Sequence, residues 1–172
     1  PYGPFENQKE FTDWLKNECT GNDPLFHSII DKTNNKSVGM ASYLRINSKD
    51  GVIEVGHIHY SPLMQKKPIG TEAMYLMMKR VFDELKYRRY EWKCNALNTK
   101  SCDAARRLGF KFEGIFKQHM IIKNHNRDTA WFAILDKDWL SLKSKFEKWL
   151  DRNNFNKDGS QKLSLNSLTK IL

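Results

Sequence analysis

The stretch that decides the fold is VGHIHYSPLMQKKPIGTEA, residues 55–73. It begins with the alternation of a β-strand, continues into a loop with Lys66 and Lys67, and ends where apolar residues recur at helical spacing. The free N–H groups of a helix's first turn bind phosphate, and a glycine such as Gly70 lets a ligand approach the backbone. The stretch predicts a phosphate-binding turn, although an ordinary strand-to-helix turn with two solvated lysines has the same pattern.

Composition restricts the class of protein. The chain has 172 residues, which fits one domain, and 40% of them are apolar and 28% charged. This balance excludes collagen-like, low-complexity and wholly disordered classes. Lys and Arg number 29 against 20 Asp and Glu, so the net charge of +9 predicts an anionic partner. Nucleic acid, a membrane surface and a nucleotide-like ligand all fit that charge.

Targeting signals and cysteines bear on the compartment. No stretch approaches the ~18 apolar residues of a membrane helix, and no signal segment opens the chain, so we expect no membrane partner. Cys19, Cys94 and Cys102 form an odd set without Cys-x-x-Cys spacing or a His that completes a zinc site. We therefore expect no metal, a reducing compartment and a cytoplasmic location, with the nucleus as a further compartment.

The pattern of the first half of the chain predicts a helix followed by a three-stranded antiparallel meander. Asn7 and Glu10 have the spacing of a capping box, and apolar residues up to Leu15 share one helical face. Three strands with tight turns between them follow, over residues 26–31, 38–47 and 52–60.

The second half mixes helices and strands. We predict helices over residues 71–85, with Thr71 as cap, and 101–108, and a last helix from Asp138. Strands are predicted over residues 90–96, 110–122 and 129–135, with a turn over 123–127. The order indicates an α/β or α+β fold with one mixed sheet. Residues 1–152 then form a single domain, and residues 153–172 form a polar extension that is draped over it or partly disordered.

Three motifs resemble the GNAT superfamily of N-acetyltransferases, and specifically its RimJ/RimL-like branch. The family signature, Gln or Arg, two residues, Gly, any residue, then Gly or Ala, aligns with Gln65, Pro68 and Gly70. Asn98-Thr99-Lys100-Ser101 is similar to the Asn-x-x-Ser of that branch. The run from Leu108 to Gly114 is similar to its Leu-Gly-Phe-x-x-Glu-Gly. All three motifs occur in family order, within an aligned part of about residues 2–135.

The resemblance implies a GNAT fold. In that fold a mixed, mostly antiparallel sheet is splayed between its fourth and fifth strands, which correspond here to residues 52–60 and 90–96. The family's usual first strand and helix are expected to be missing before Pro1.

The resemblance also implies acetyl-CoA as co-substrate. Its pyrophosphate would lie on the backbone of Lys66–Thr71, its pantetheine would pair with the backbone of Ile58–Tyr60, and Asn98 would hydrogen-bond it. The Ile58 N–H would stabilise the oxyanion. The implied cofactor-binding residues are Ile58, His59, Tyr60, Gln65, Lys66, Lys67, Ile69, Gly70, Thr71, Asn98 and Ser101.

Three residues compete for the role of general base. The resemblance implies Glu54, while His57 and His59 are rivals because an imidazole with a pKa near ~6.5 accepts protons at neutral pH. Alternation along a regular strand places Glu54, Ile58 and Tyr60 on one face and the two histidines on the other. Both sets cannot then face the substrate.

The general acid of the family is replaced. Ala105 stands where many GNAT enzymes have a tyrosine, so we predict Ser101 as the proton donor to the CoA thiolate; as an alternative, Ser101 caps a helix. Met120 stands where RimL-like enzymes can have a carboxylate, and Pro68 replaces the first glycine of the signature.

The resemblance implies transfer of an acetyl group from acetyl-CoA to a primary amine, which is a protein N-terminal α-amine or a small-molecule amine. The absence of the usual acid keeps a non-catalytic CoA-binding or interaction module of the same fold as the alternative. A homodimer is a further assembly to consider. A basic cluster over residues 79–90 suits nucleic acid, but no stacking-platform motif accompanies it, which favours a solvated surface.

Overall fold

The computed structural model describes residues 2–169, which form five α-helices and one six-stranded sheet. The elements are α1 (Gln8–Glu18), β1 (Leu25–Asp31), β2 (Lys36–Asn47), β3 (Val52–Tyr60), α2 (Pro68–Lys79), β4 (Arg89–Asn95), α3 (Thr99–Arg107), β5 (Lys111–Ile122), β6 (His125–Leu135), α4 (Asp136–Leu150) and α5 (Leu165–Thr169). A π-helical turn, Arg80–Glu84, extends α2, and a 3₁₀ turn, Arg152–Asn154, follows α4.

The sheet is mixed, with strand order β1-β2-β3-β4-β6-β5. All neighbouring strands are antiparallel except β3 and β4, which are parallel. The parallel pairing covers only Val52–Val55 of β3, and beyond Val55 the two strands separate while β3 continues to Tyr60. This separation is the splay that the sequence predicts between residues 52–60 and 90–96, and the α/β fold class is confirmed.

The sheet has an apolar face and a charged face because successive strand residues point to opposite sides. Ile53 and Val55 of β3 pack into the core with residues of α2, α3 and α4. Glu54, between them, is only 3% exposed and lies in an ion-pair network on the other face. The largest fully buried core side chains are Tyr43, Tyr90, Phe132 and Phe146.

The helix after β3 begins earlier than the sequence predicts. Pro68 occupies its first turn and Lys67 is its N-cap residue, so the predicted cap at Thr71 is wrong. A proline is well suited to the first turn of a helix, where its missing N–H costs no hydrogen bond. Thr71 is instead buried inside α2, and its Oγ1 accepts a hydrogen bond from Arg107.

Other boundaries shift by a few residues. α3 begins at Thr99, and Asn98 rather than Ser101 is its N-cap: the Asn98 side chain accepts a hydrogen bond from the Ser101 N–H at 3.1 Å. β6 begins at His125, so the predicted turn over residues 123–127 is too long. α4 begins at Asp136, two residues before the predicted start.

β3 contains a bulge that the sequence does not predict. Its register with β2 shifts by one residue between Met40 and Ser42, and His57 has a φ of 49°, in the left-handed region. A bulge inserts one extra residue and re-aims the side chains around it.

The bulge changes which side chains share a face. His57 Nδ1 reaches the side chain of Ser42 on the charged face, where Glu54 lies, while Ile58 and Tyr60 pack against the apolar core. The predicted grouping of Glu54 with Ile58 and Tyr60, opposite His57, is therefore wrong. It assumed strict alternation, which a left-handed residue interrupts.

The segment after α4 is ordered against the core over its described residues. Leu165 is 1% exposed, and Asn154 is buried with three hydrogen bonds to the backbone of Trp149 and Leu163. Phe155 pairs with Gln161 in an isolated bridge, which closes a short hairpin. Residues 152–169 are called the C-terminal segment below; residues 170–172 of the predicted extension lie outside the described part of the chain.

α1 confirms the predicted N-terminal helix. The Glu10 N–H donates to Asn7 Oδ1 at 2.9 Å, which caps the first turn. Trp14 contacts Phe26 of β1 with ring centroids 6.0 Å apart, and this contact attaches the helix to the sheet. None of the helices within residues 2–169 combines the length and the apolar character needed to cross a bilayer.

Candidate functional site

The candidate site lies where β3 and β4 separate. The edge of β3 that faces the opening has no strand partner beyond Val55 within residues 2–169. The Ser61 N–H donates to the Val38 carbonyl of β2 at 3.0 Å, which fixes the backbone groups of β3 that face β2. By alternation, the N–H groups of Ile58 and Tyr60 face the opening. This free edge can pair with an extended ligand in the manner of an added strand.

A basic turn, residues 61–67, joins β3 to α2. Lys66 has a φ of 60°, and the Lys67 N–H donates to the Met64 carbonyl at 3.2 Å, so the chain folds tightly just before the helix. Pro68 has no N–H, and the Ile69 N–H has no hydrogen-bond partner in the described part of the chain. The first turn of α2 thus offers a free donor beside two exposed lysine side chains.

Tyr60, Gln65 and Gly70 hold the basic turn in place. The Tyr60 hydroxyl donates to the Gly70 carbonyl at 3.0 Å, and Gln65 Nε2 donates to the Tyr60 carbonyl at 2.9 Å. A Cβ at Gly70 would lie 3.0 Å from Cε2 of the Tyr60 ring. Burial raises the pKa of Tyr60 to about 12, so its hydroxyl stays protonated at neutral pH. The glycine and glutamine of the signature therefore have structural contacts of their own.

A cavity of about 630 Å³ opens beside the start of α2. Lys66, Lys67 and Thr71 line one side, and Arg107 of α3 lies among its lining residues. Arg107 Nη1 donates to Thr71 Oγ1 at 2.9 Å. Arg107 is not among the residues predicted from the sequence. The Arg106-Arg107 pair before Leu-Gly-Phe is its signal in the sequence, but the same pair is typical of a solvated helix end.

The N-terminus of α3 lies at the other side of the opening. Asn98 is exposed, and its side-chain oxygen is occupied by the cap bond to the Ser101 N–H. Ser101 Oγ accepts a hydrogen bond from Trp92 Nε1 of β4 at 3.0 Å. The Trp92 indole fixes the hydroxyl oxygen and leaves the hydroxyl proton to be donated. Ser101 is thus tied to β4, and its alternative reading as a helix cap is wrong.

Glu54 lies in a buried ion-pair network. Its Oε2 is 2.7 Å from Arg45 Nη1 and 2.9 Å from Lys93 Nζ. Lys93 Nζ also lies 2.7 Å from Glu91 Oε2, and Arg89 Nε bonds Glu91 in turn at 2.6 Å. Two cationic donors therefore occupy the Glu54 oxygen that faces the network. A proton from an amine could reach only its other oxygen.

His57 has a different environment on the same face. Its Nδ1 lies 2.7 Å from Ser42 Oγ, and its ring is in contact with the rings of Phe26 and Tyr2, at centroid distances of 5.0 and 5.8 Å. Burial lowers the pKa of His57 below 6.5, and the charge of Glu54 opposes that shift only in part. The imidazole is therefore neutral at pH 7.

The Ser42 hydroxyl also lies 3.3 Å from the Gly56 carbonyl. If Ser42 donates its proton to that carbonyl, His57 Nδ1 carries a hydrogen and donates to Ser42 Oγ, so the lone pair is on Nε2.

The remaining predicted positions are not brought into the opening. His59 is exposed on β3. Ala105, on α3, is fully buried in the core, and Met120 lies on β5 opposite Arg127 of β6. Within residues 2–169 no group of three or more His, Cys, Asp or Glu side chains is arranged to hold a metal ion.

Comparison with known proteins agrees with this geometry. Residues 1–111 match the family model described as an acetyltransferase (GNAT) domain. A curated relative, the uncharacterized N-acetyltransferase YnaD of Bacillus subtilis (strain 168), is 28% identical over 86 residues, and the match spans only half the length of each chain.

Two solved structures are similar over most of the chain. A GCN5-related N-acetyltransferase from Brucella melitensis is 45% identical with a TM-score of 0.96, over 99% of this chain and 77% of its own. A probable acetyltransferase of the GNAT family from Chromobacterium violaceum ATCC 12472 is 40% identical with a TM-score of 0.77, over 81% of this chain and 70% of its own. The splayed sheet, the basic turn and these matches show that the chain belongs to the GNAT acetyltransferase family.

Proposed function

We propose that this protein transfers an acetyl group from acetyl-CoA directly to a primary amine. The observation that supports this best is the free edge of β3 at the splay, which ends at a basic turn and the first turn of α2. A strand edge suits the amide groups of pantetheine, and a helix N-terminus with Lys66 and Lys67 suits a diphosphate. The two features adjoin each other in the order in which CoA carries these groups.

The reaction requires a hydrogen-bond donor to the oxyanion that forms at the reacting carbonyl. When the amine nitrogen attacks the thioester carbon, the carbonyl oxygen becomes an oxyanion, and the Ile58 N–H at the free edge is our proposed donor to it. A preorganised backbone donor of this kind contributes about 3 kcal/mol in other acyl-transfer sites. The C–S bond then breaks, and the sulfur leaves as the CoA thiolate.

We propose His57 as the proton acceptor in preference to Glu54. The amine must lose one proton as the N–C bond forms, and a neutral imidazole at pH 7 can accept it directly or through a water molecule. Glu54 has one oxygen already bonded to Arg45 and Lys93. His59 stays a weaker candidate because its side chain is exposed to solvent.

We propose Ser101 as the proton donor to the thiolate. Its oxygen accepts from Trp92, so its own O–H can hydrogen-bond the departing sulfur, and a proton that passes to the sulfur is replaced at Ser101 from bulk water. The alternative function, a non-catalytic CoA-binding or interaction module, is favoured by Ala105, which is buried where the family's tyrosine would be.

The acceptor that we propose follows from the branch of the family that the motifs favour. The Asn98-x-x-Ser101 and Leu108-Gly109-Phe110 motifs favour the RimJ/RimL-like branch, and with it a protein N-terminal α-amine or a small-molecule amine. An α-amino group with a pKa near ~8 is deprotonated more readily than a lysine side chain at ~10.4. We place the protein in the cytoplasm, as a monomer or a homodimer.

Two measurements test this function. Calorimetric titration with CoA at moderate salt should show saturable one-site binding, and its absence would contradict both the enzyme and the CoA-binding module. If CoA binds, release of free thiol from acetyl-CoA is measured with a panel of peptides, polyamines and aminoglycosides. Acceptor-dependent thiol release supports the enzyme, whereas binding without turnover across the panel supports the module.

A further inference from the structure

Arg107 is a half-buried cation without a carboxylate partner among residues 2–169. Its polar side-chain contact is Thr71 Oγ1, at 2.9 Å, and its guanidinium lies 5.4 Å from the ring centroid of Trp149. A guanidinium carries five N–H donors in a planar fork, so most of these donors are left for another acceptor. Burial lowers the pKa of Arg107, which is the sign of a charge that lacks compensation.

The position of Arg107 indicates what that acceptor is. It shares the 630 Å³ cavity with Lys66 and Lys67, and neither lysine forms an ion pair in the described part of the chain. Three cations around one cavity, with no acidic residue among the lining residues that the structure describes, form a site for a polyanion. The cavity is also far larger than a single phosphate group requires.

The C-terminal segment forms another wall of this cavity. Phe155, Gly159, Ser160 and Gln161 line it. Besides Asn154, two side-chain contacts hold the segment there: Trp149 Nε1 donates to Gln161 Oε1 at 2.9 Å, and the Thr169 hydroxyl, shared with the Leu165 carbonyl at 3.0 Å, lies 3.1 Å from the Arg107 carbonyl. The second contact joins the segment directly to the residue that carries the uncompensated charge.

We infer that Arg107 binds a phosphoryl group at the nucleotide end of CoA, and that the C-terminal segment encloses that end of the ligand. This inference rests on the proposed function and adds to it a binding residue outside the basic turn and α2. The planar fork of Arg107 matches two phosphate oxygens at once, which the point charge of a lysine cannot do. CoA offers two such groups, the 3′-phosphate and the diphosphate.

The test is the variant Arg107→Gln, titrated calorimetrically with CoA and with dephospho-CoA, which lacks the 3′-phosphate. We expect CoA affinity to fall by about tenfold to 100-fold, as for the loss of a charge-assisted pair of hydrogen bonds. If CoA affinity falls in Arg107→Gln but the variant binds dephospho-CoA as tightly as the wild-type protein does, Arg107 binds the 3′-phosphate. If both affinities fall, it binds the diphosphate. If neither falls by more than about twofold, the inference is wrong.

The matched control is Arg106→Gln, one residue earlier on α3. Arg106 pairs with Asp103 and is exposed to solvent, outside the cavity. We expect its CoA affinity to stay within about twofold of wild type, since a surface ion pair contributes little. Arg107→Lys, which keeps the charge but not the fork, should lie between wild type and Arg107→Gln; wild-type affinity in that variant would reduce the role to charge alone and contradict bidentate binding.

Failure of the proposed function can be distinguished from failure of this inference. If the wild-type protein binds no CoA, the proposed function is wrong, and the cavity is titrated with adenosine 3′,5′-bisphosphate and inorganic pyrophosphate. Binding of either probe that Arg107→Gln abolishes keeps Arg107 as a phosphate-binding residue. No binding of either probe overturns it. Thermal unfolding of each variant shows whether a loss of affinity comes from loss of the fold.

Discussion

Gly39 is a residue whose missing side chain is required by close packing. It lies on β2 beside the end of β3, and a Cβ there would be 2.6 Å from Met64 Sδ and 2.7 Å from the His59 carbonyl oxygen. The second contact is with backbone, which cannot rotate away. We predict that Gly39→Ala lowers the free energy of unfolding by about 1–3 kcal/mol, measured by urea denaturation, because overpacking displaces the strand or the turn.

The control for Gly39 is Gly21→Ala. Gly21 has no atom within 4 Å of an added Cβ, so we expect a change within about 0.5 kcal/mol. Because Met64 belongs to the basic turn, Gly39→Ala should also weaken CoA binding, whereas Gly21→Ala should not. Equal stability of the two variants would show that the turn yields without cost, contrary to this packing argument.

His57 sets the expected pH dependence. Burial lowers its pKa below 6.5, so the neutral form persists at lower pH than for a solvated histidine. If His57 accepts the proton, the acid limb of kcat/KM lies below pH 6.5. His57→Gln should lower kcat by about 100-fold to 1,000-fold and abolish that limb. A pH profile that keeps the limb in His57→Gln would exclude His57 as the base.

The variant Glu54→Gln needs a control from the same ion-pair network, because it removes a partner of Lys93 as well as the candidate base. Glu91, which lies on β4 with Lys93, bonds the same Lys93 Nζ, so Glu91→Gln perturbs the network without removing Glu54. We expect both variants to lower kcat equally and by less than about tenfold. A much larger loss in Glu54→Gln than in Glu91→Gln would return the base role to Glu54.

The sequence predicts the regular elements but not the interruptions in them. The bounds of β3 follow from its turns at Gly51 and Ser61, and α2 is evident from its apolar spacing. The bulge at His57 is not predictable because a positive φ at a histidine leaves no mark in an alternating pattern. The same bulge decides which of the candidate bases share a face of the sheet. The arrangement of Glu54 and His57 could therefore not be predicted from the sequence and is seen only in the structure.

The C-terminal segment shows a second limit of sequence patterns. Its residues are mainly polar, and only Leu165 is a fully buried large apolar side chain among those described there. It is ordered instead by hydrogen bonds of Asn154, Trp149 and Gln161, whose partners are set by tertiary contact rather than by local pattern. Polar segments that are fixed in this way resemble disordered ones in sequence.

Substitution of Asn154 tests how the C-terminal segment is held in place and whether it contributes to CoA binding. Its side chain donates to the carbonyls of Trp149 and Leu163 at 2.9 and 3.2 Å and accepts from the Leu163 N–H at 2.8 Å. Asn154→Ala leaves the buried Trp149 carbonyl and the partly buried Leu163 groups without these partners, which costs about 1–3 kcal/mol. We predict faster amide hydrogen exchange confined to residues 152–169 and weaker CoA binding.

Asn156→Ala is the matched control for Asn154→Ala. Asn156 is exposed, and among residues 2–169 its side chain bonds only Ser160 Oγ, at 2.9 Å. Hydrogen exchange in the C-terminal segment should be nearly unchanged in this variant. If Asn154→Ala loosens the segment while CoA affinity stays at the wild-type value, the segment does not enclose the ligand.

At the scale of the whole molecule, the cations behind the net charge of +9 differ in whether they form ion pairs. Arg89 is neutralised by Glu91 and Glu113, Arg80 pairs with Glu84, and Lys143 pairs with Asp83. The predicted basic cluster over residues 79–90 is thus interleaved with acidic partners. The cavity beside α2, by contrast, is lined within the described part of the chain by three cations and no acidic residue. This local excess of positive charge suits a compact polyanion such as the proposed ligand.

This distribution predicts how salt and DNA affect binding. CoA affinity should fall only about threefold to tenfold between about 50 and 500 mM NaCl, because the half-buried Arg107 is screened less than the exposed Lys66 and Lys67. A short duplex DNA in about tenfold molar excess should leave the CoA titration unchanged at about 150 mM salt. Nucleic acid that binds through many phosphate contacts loses affinity far more steeply, by about 10³–10⁵ between 50 and 200 mM salt. Competition by duplex DNA, with that steep dependence, would show that the basic surface rather than the cavity is the principal anion site.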